Sequence, residues 1–440
     1  MTVRLLVSVT LRLTAPGGVA APELLAQDDD GLLFGTALPL ARTPRGMPWI
    51  PATSVAGSLR AHLADRAEAF LGGEPGDEVF PSTLWLLGTR VDHQGITERT
   101  RTAIDRWRGA AAAGPLRRSE HLPAGTRITV YLRLDDVTLA DELLGALRTW
   151  RPRIGGGRTI GHGTCVLEQI RGGRLDLDTP EGRRIWLTRG GPGLFDDDLT
   201  DHVETPPVPN THPPVLHLSW SIVDGLHIGN GEIDHRGNGQ NDVALILRTH
   251  DGTPEIPGSA WKGLLRSRCE FILRSLGVVC CSPAVDLDAT TPGCGDCLIC
   301  RAFGTASSAG PSRRGRLDFR SSPVADAEIV EQRHVALDRV FGGARAGALY
   351  SRQVVRSGTL DLVVDALDTL PPGATALVTL ACLDIHDGLL GVGAATTRGL
   401  GTLRLRSTPE AVGTLRTEAL HALTAALTGA DAELGESRTT

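Results

Sequence analysis

The chain has few aromatic residues, no basic excess and no long apolar run. Phe, Trp and Tyr make up 4% of the 440 residues, and the net charge is −6. No stretch reaches the roughly 20 consecutive apolar residues of a membrane span, and the alternating start MTVRLLVSVTLRL lacks the apolar core of a signal peptide. We therefore expect a cytoplasmic protein without membrane contact. The acidic balance also argues against indiscriminate nucleic-acid binding.

Cysteine is scarce outside one segment, because five of the eight cysteines lie between Cys280 and Cys300. Such a local cluster in an intracellular chain favours metal binding over disulfides. The spacing Cys281-x12-Cys294-x2-Cys297-x2-Cys300 offers four soft thiolates that suit a tetrahedral structural zinc ion, with Cys280 as a substitute for its neighbour. An iron–sulfur cluster or free thiols are the alternatives.

The chain also contains an internal duplication. Residues 102–134 (TAIDRWRGAAAAGPLRRSEHLPAGTRITVYLRL) align without a gap with residues 335–367, which lie 233 positions later. Upstream, WIPATSVAGSLRAHL aligns with EIPGSAWKGLLRSRC at an offset of 206, and downstream GHGT (161–164) aligns with GLGT (399–402). Three landmarks in one order indicate two copies of one domain. The second copy holds 27 additional residues where the cysteines lie.

The order of strands and helices places both copies in the α+β class. Each copy reads as a strand, a helix, further strands, a second helix, a glycine-rich turn and a last strand, which predicts a ferredoxin-like (RRM-like) arrangement. The open sheet face of such domains can bind single-stranded RNA. We expect the following boundaries: a first domain over 1–172, a proline-rich linker over 173–213, a second domain over 214–407 with its insertion near 280–300, and a C-terminal helix and tail over 408–440.

A capped helix is predicted at IPGSAWKGLLRS (256–267). Ser259 is its expected N-cap, so the free N–H groups at the helix start can face an anion. Lys262 and Arg266 are four residues apart and share one helix face. They can contact one strand of RNA, or they can form the solvated side of an ordinary amphipathic helix.

Two glycine-rich loops, GGGRTIGHG (155–163) and GVGAATTRGLG (391–401), fit neither a P-loop nor a dinucleotide fingerprint. A plain turn explains most loops of this kind. Glycines also permit a close approach of the backbone to a ligand.

Three of these features together resemble the RAMP superfamily. They are IPGSAWKGLLRS, the cysteine cluster that ends with CRAFG (300–304), and GVGAATTRGLG. The resemblance is to the repeated backbone subunit of type III CRISPR effector complexes, and two copies in one chain resemble the fused double-backbone subunits of some variants. It covers most of 214–407 and extends over 1–172 through IPATSVAGSLR, LWLLGT and GGGRTIGHG. It implies that the chain binds the guide RNA (crRNA), cuts the paired target RNA and assembles with other effector subunits.

The resemblance implies roles for particular residues of the second copy. The family's cleaving aspartate lies on a flexible loop before the IPGS turn, which points to Asp242, with Asp234 and Asp251 in reserve. His227 and Gly229, in GLHIGNGE, resemble the family's short loop that touches the guide. In the family context the glycine-rich loops approach phosphate, with Arg398 and Arg158 as the expected partners. A lone histidine is equally often a structural residue, and both interpretations of His227 stay open.

The first copy departs from the family pattern. Ser54, Arg60 and Arg158 take its RNA-binding positions, but Thr36 stands where the offset of 206 places Asp242, and the cysteine insertion is absent. We expect this copy to carry guide RNA without cutting. The acidic run Asp28–Asp30 could supply a carboxylate if the loop aligned differently.

The sequence therefore predicts an endoribonuclease that acts within a complex and depends on Mg²⁺ or Mn²⁺. One alternative is a scaffold of the same complex that binds crRNA without cutting. The other is a stand-alone enzyme that processes the guide precursor, a task that usually employs paired histidines, which the sequence does not reveal.

Overall fold

The computed structural model describes residues 3–21, 37–73, 81–105, 110–195, 203–205, 213–236, 242–281, 294–305 and 312–436. Its mixture of sheets and helices confirms the α+β class. Contacts divide the chain into two units: a first made of 1–99, 117–158 and 162–212, and a second made of 100–116, 159–161 and 213–440. None of the helices in the described ranges has the length and apolar character needed to cross a bilayer.

The helices and strands up to residue 205 are, in chain order, β1 (Val3–Leu13), α1 (Ala52–Leu63), α2 (Ala67–Leu71), β2 (Leu84–Asp92), β3 (Thr97–Asp105), β4 (Ala110–His121), β5 (Arg127–Leu134), α3 (Ala140–Thr149), β6 (Cys165–Asp176), α4 (Pro180–Thr188) and β7 (Val203–Thr205). The main sheet of the first unit has the order β2-β5-β1-β6-β7, with every neighbouring pair antiparallel. β3 and β4 form a separate two-stranded sheet.

The first core lies between one face of this sheet and helices α1 and α3. Val7, Val9 and Leu11 alternate along β1 and are fully buried on that face. They pack in one cluster with Leu59 of α1 and Leu143 of α3. The alternation of buried and less buried positions in β1 is the expected pattern for a strand with one face on the core.

Part of the other face of the first sheet is also covered. Leu6 of β1 is fully buried and packs with Leu175, with Ile185 of α4 and with Leu194. α4 begins after Thr179, whose side chain accepts a hydrogen bond from the amide of residue 182 at 3.0 Å. The predicted linker, 173–213, thus contains the end of β6, α4 and β7, and by contacts the first unit extends to residue 212.

The elements of the second unit from residue 213 onward are β8 (Leu216–Ile222), β9 (Gly229–Asp234), β10 (Val243–Ile246), β11 (Glu255–Ile256), α5 (Gly258–Ser275), α6 (Leu298–Phe303), β12 (Gly304–Thr305), β13 (Arg313–Arg314), β14 (Leu317–Phe319), β15 (Ser322–Pro323), β16 (Ala325–Leu337), β17 (Ala344–Ala366), α7 (Ala374–His386), β18 (Leu403–Leu405) and α8 (Pro409–Glu436). The main sheet has the order β18-β8-β17-β10-β9, and β14 and β16 also pair with β17. The β10–β17 pair is parallel, whereas β8, β14 and β16 pair with β17 in antiparallel fashion.

The two units repeat one connection order. In the first, β2, β5, β1 and β6 are neighbours in that order, and in the second the corresponding strands β14, β17, β8 and β18 are neighbours in the same order. α1 and α5 each begin directly after a proline, Pro51 and Pro257. The structure therefore repeats the pattern that the duplicated sequence predicts.

The second core is built around α7, in which ten of the residues are buried. Trp220 of β8 and Trp261 of α5 are fully buried in this cluster. α8 covers it from outside through Leu423, which is buried. Leu420 on the same helix is 51% exposed and therefore faces solvent.

A buried ion pair fastens α5 to α6. Glu270 has no exposed surface, and its Oε1 accepts a hydrogen bond from Nε of Arg266 at 3.0 Å. Nη1 of Arg266 also donates to the carbonyl of Gly304, the residue that ends α6, at 2.9 Å. Arg60, at the matching position of the first copy, donates to the carbonyl of Gly72, which ends α2, at 2.9 Å. Both arginines thus hold the end of the following helix.

We predict that Arg266→Met destabilises the second unit by about 3–5 kcal/mol, because it leaves the carboxylate of Glu270 buried without its cation. Urea unfolding of the free protein measures the change. The double variant Arg266→Met/Glu270→Gln is the control and should recover much of the loss. A single variant as stable as the wild type would show that the ion pair has no structural role.

Candidate functional site

His227 lies in the loop after β8 and is buried, with 7% of its surface exposed. Its Nδ1 lies 2.7 Å from the carbonyl oxygen of Gln353 in β17. Burial lowers the pKa of His227 below its usual value, against the effect of that hydrogen bond. The ring is therefore neutral at pH 7 and donates from Nδ1, which leaves Nε2 as a hydrogen-bond acceptor. A side chain at position 229 would contact Nε2, so Gly229 keeps this atom uncrowded.

The glycine-rich loop 391–401 packs against the His227 loop. The amide of Ala394 donates to the carbonyl of His227 at 2.9 Å, and a Cβ at Gly393 would lie only 2.6 Å from that same oxygen. Glycine is therefore required at position 393 by the approach of two backbone segments. Arg398 ends a short 3-10 turn in this loop and is exposed, and its Nη1 donates to the hydroxyl of Tyr350 in β17 at 2.8 Å.

Asp242 precedes β10 and exposes its carboxylate. Its Oδ2 lies 2.7 Å from Nδ1 of His235, and its backbone carbonyl accepts a hydrogen bond from the amide of Ser351 in β17 at 3.3 Å. Both reserve aspartates have other partners. Asp234 forms an ion pair with Arg236, and Asp251 accepts a short hydrogen bond from Thr249. The acidic run 28–30 and Thr36 of the first copy lie outside the described residues.

One segment of β17 connects these predicted residues. Hydrogen bonds join Tyr350 to Arg398, Ser351 to the backbone of Asp242, and Gln353 to His227. The structure thus brings three of the predicted site residues to four consecutive positions of one strand. No sequence motif marks this strand segment. Within it, the guanidinium of Arg352 lies 5.5 Å from the centre of the Tyr350 ring.

The residues predicted on α5 have different surroundings. The N-cap is Pro257 rather than the predicted Ser259, because the helix starts two residues earlier than predicted, at Gly258. Ser259 lies in the first turn and is half-buried. A Cβ at Gly258 would lie 1.9 Å from the carbonyl oxygen of Phe319, so only glycine fits there. The start of the helix is therefore packed closely against backbone.

The two basic side chains of α5 that the sequence predicts to bind RNA are engaged within the second unit. Nζ of Lys262 donates to the hydroxyl of Thr159 at 2.8 Å, in the segment 159–161 that groups with this unit. Burial, and then the neighbouring charge of Arg266, lowers the pKa of Lys262 to about 8. Arg266 is held by Glu270 and Gly304. A phosphate would have to compete with these partners.

The predicted residues of the first copy have similar surroundings. Ser54 is half-buried in the first turn of α1, and its amide donates to the carbonyl of Pro51 at 3.0 Å. Arg60 is bound to the carbonyls of Leu71 and Gly72. Arg158 is half-buried, and its carbonyl accepts a hydrogen bond from Nη1 of Arg153 at 3.2 Å.

Four cysteine sulfurs converge between α5 and α6. The ligand atoms of Cys281, Cys294, Cys297 and Cys300 all lie within 4.8 Å of one another. Sγ of Cys281 is 3.6 Å from that of Cys300 and 3.9 Å from that of Cys297. Zn–S bonds of about 2.3 Å in a tetrahedron place the sulfurs roughly 3.8 Å apart, so the spacing can hold a metal ion of this kind.

Backbone amides orient the same sulfurs. The amide of Cys294 donates to Sγ of Cys281 at 3.0 Å, and the amide of Cys297 donates to Sγ of Cys294 at 3.2 Å. Burial opposes ionisation of Cys294, but the backbone hydrogen bonds of Cys297 and Asp296 lower its pKa to about 7. Cys280 is not in the group, and its Sγ contacts the carbonyl of Glu270 at 3.8 Å.

Comparison with known proteins agrees with these features. A family model described as the RAMP superfamily matches residues 31–166 and 221–404, which is more than half of the chain. The curated protein "CRISPR system Cms endoribonuclease Csm3" of Methanothermobacter thermautotrophicus is 37% identical over 97 residues. That match covers 20% of this chain and 34% of the relative, so the chain spans only about a third of the relative's length. Since the family model matches both copies, the chain belongs to the RAMP superfamily.

Proposed function

We propose that this chain is a subunit of a type III CRISPR effector complex, that it binds crRNA, and that its second copy cleaves the complementary target RNA in the cytoplasm. The observation that carries the proposal is the convergence of His227, Asp242 and Arg398 on residues 350–353 of β17. A buried neutral histidine, an exposed carboxylate and an exposed guanidinium around one strand suit contacts to ribose and phosphate. Family membership and the relative's name as an endoribonuclease support the same conclusion.

In this proposal the two units are tandem ferredoxin-like domains. Two observations support this. The strand order is β2-β5-β1-β6 in the first unit and β14-β17-β8-β18 in the second, and in each unit helices follow the first and the third of these four strands in chain order. RNA then meets loops and strand ends rather than the middle of the first sheet, because α4 covers part of the outer face there.

The guide is bound through hydrogen bonds and cations together. Nε2 of His227 accepts a hydrogen bond from a ribose 2′-hydroxyl, the group that distinguishes RNA from DNA. Arg398 pairs with a phosphate close to Gly229. Six further residues contact the guide at the edges of its path, and their internal partners limit how far their side chains reach. They are Ser259, Lys262 and Arg266 in the second copy and Ser54, Arg60 and Arg158 in the first.

Cleavage places Asp242 beside the target ribose. The 2′-oxygen attacks the adjacent phosphorus as Asp242 accepts its proton, and the bond from phosphorus to the 5′-oxygen breaks with a proton passing to that oxygen. A 2′,3′-cyclic phosphate and a 5′-hydroxyl result. His235, 2.7 Å from the carboxylate, orients it.

We expect this reaction to depend on Mg²⁺ or Mn²⁺, which neutralises phosphate charge. Among the described residues, the cysteine cluster is the one group of three or more close His, Cys, Asp or Glu ligand atoms. A divalent ion would therefore have Asp242 as its protein ligand and RNA oxygens and water as the others, which is a common arrangement for magnesium. The first copy, with Thr36 in place of the aspartate, carries guide without cutting.

The cysteine cluster holds structural zinc in this proposal. Cys281, Cys294, Cys297 and Cys300 supply a closed set of four thiolates, without a position for substrate. The ion fastens the insertion to α6, because Cys297 is the N-cap of that helix and Cys300 lies within it.

A crRNA-binding scaffold that does not cut remains the second candidate. It is favoured by the internal engagement of Lys262 and Arg266, which indicates a structural role for part of this helix motif. The two functions differ in whether the carboxylate of Asp242 acts on the target RNA.

We predict that Asp242→Ala abolishes target cleavage by the second copy, with a loss of about 10²-fold or more in the single-turnover rate, because a positioned base contributes that much. The reconstituted complex is assayed with labelled target RNA, and guide loading is expected to stay unchanged. Asp224→Ala, which removes another exposed aspartate of the second unit, is the matched control. Full cutting by the Asp242 variant would favour the scaffold.

We also predict that the purified protein contains about one zinc ion per chain. Cys297→Ser should remove this zinc and lower the temperature of unfolding, since metal binding contributes directly to folding. Cys280→Ser is the matched control, because Cys280 stands next to a ligand but outside the cluster. Elemental analysis and thermal unfolding measure both effects. Loss of zinc from the Cys280 variant with retention in the Cys297 variant would contradict the assignment.

A further inference from the structure

Four side chains form a row across strands β9, β10, β17 and β16, here called the Tyr350 row: His235, Asp242, Tyr350 and His334. Strand pairing sets their order, since Val243 lies opposite both Asp234 of β9 and Ser351 of β17. Asp242 precedes Val243, so it lies next to His235 on one side and next to Tyr350 on the other. Across β17, Tyr350 lies opposite His334, and their rings stack with centroids 5.1 Å apart.

Arg352 projects on the same face of β17 as Tyr350, because side chains two residues apart share a face of a strand. Its guanidinium carbon lies 5.5 Å from the centre of the Tyr350 ring. Since Ala244 lies opposite Arg352, the side chain of Asp242, two residues before Ala244, is also directed to this face. A cation, an aromatic ring and the proposed catalytic carboxylate thus occupy adjoining positions.

Among the residues that the structure describes, Arg352 has no anionic partner. Only 8% of its surface is exposed, and its buried Nε finds no hydrogen-bond acceptor among the residues that the structure describes. No carboxylate in those ranges forms an ion pair with it, in contrast to Arg266 and Arg268 of the same unit. Burying a guanidinium without a counter-charge is costly, and the contact with one aromatic ring offsets only part of that cost. The arrangement is that of a site prepared for an anion.

Neighbouring groups add to the positive character of the site. Arg398 reaches the row through its hydrogen bond to Tyr350. Burial, followed by the charges of Arg352 and Arg398, lowers the pKa of His334, and burial with a smaller effect of Arg352 lowers that of His227. Both imidazoles are therefore disfavoured as cations, which leaves the two guanidiniums as the positive groups.

We propose that Arg352 binds the scissile phosphate of the target RNA, the phosphate next to which Asp242 acts. This inference rests on the proposed function and adds a second catalytic residue to it. The planar guanidinium donates two N–H groups to non-bridging oxygens, a geometry that a phosphate accepts in bidentate fashion. Charge on those oxygens grows as the 2′-oxygen attacks, so a cation that is held in place by the Tyr350 ring stabilises the transition state more than the ground state.

The test uses the reconstituted complex and Arg352→Met, which removes the charge while keeping an unbranched side chain. We expect the single-turnover rate of target cleavage to fall by about 10²–10³-fold, as when one oxyanion donor is removed, with guide loading unchanged. Arg352→Lys keeps the charge but loses the fork and should recover part of the rate. Arg356→Met is the matched control, and the complex that carries it should cleave target RNA normally. Arg356 lies four residues further along β17, where it is exposed beside Glu328.

A binding experiment separates a phosphate contact from a structural effect. Target RNA with a 2′-deoxy nucleotide at the cleavage position cannot be cut, and its linkage is prepared either as phosphate or as a neutral methylphosphonate. Arg352→Met should weaken binding of the phosphate form by about 10-fold and leave binding of the methylphosphonate form unchanged. A general packing defect would weaken both forms equally.

Several results would overturn the inference. Wild-type cleavage by Arg352→Met would do so, as would an equal loss of binding for both linkages. Loss of guide loading would also do so, because it would assign Arg352 to a guide phosphate. If the Met variant does not fold, the Lys variant decides, since unchanged cleavage with lysine excludes a bidentate contact. Failure of the proposed function itself appears separately, as normal cleavage by Asp242→Ala.

Discussion

β17 pairs with four other strands along its 23 residues, and the positions of the candidate side chains depend on those pairings. A slip of one residue in the pairing would exchange the two faces of the strand. Ser351 would then take the position of Tyr350 or that of Arg352, according to the direction of the slip. The register is fixed at the other end of the strand, where Leu360, Leu362 and Val364 are buried against the core under β8. Apolar packing at one end therefore determines the polar geometry at the other. The site is a consequence of the core.

The sequence indicates the α+β class and the repeated order of strands and helices because both depend on local patterns. The duplication is visible in aligned motifs, and the helix after each Ile-Pro pair follows from turn residues next to an apolar period. The cysteine spacing indicates the same four thiols that the structure brings together. Cys281 rather than Cys280 joins the group because the two adjacent side chains point in different directions, and only one meets the sulfur atoms of residues 294–300.

The composition of the site was less accessible to sequence reasoning. His334, Tyr350 and Arg352 lie about a hundred residues from Asp242, and what brings them beside it is the parallel pairing of β10 with β17. No local motif encodes that pairing. Likewise, Lys262 and Arg266 share a helix face as the spacing indicates, but their partners Thr159, Glu270 and Gly304 come from packing. The sequence shows that a residue is charged, but it does not show which neighbouring group forms an ion pair or hydrogen bond with that residue.

The cover over the first sheet makes the two copies unequal in how they can evolve. In β1, Leu6 must remain apolar because α4 packs on it, whereas the outer face of β8 carries His217 and Ser219, which stay in contact with solvent and with Asp361. The sheet surface of the second copy can therefore accept new polar side chains, whereas the surface near Leu6 in the first copy cannot. A polar substitution at Leu6 would therefore cost burial energy in the first unit, whereas positions 217 and 219 of the second unit accept polar side chains without that cost.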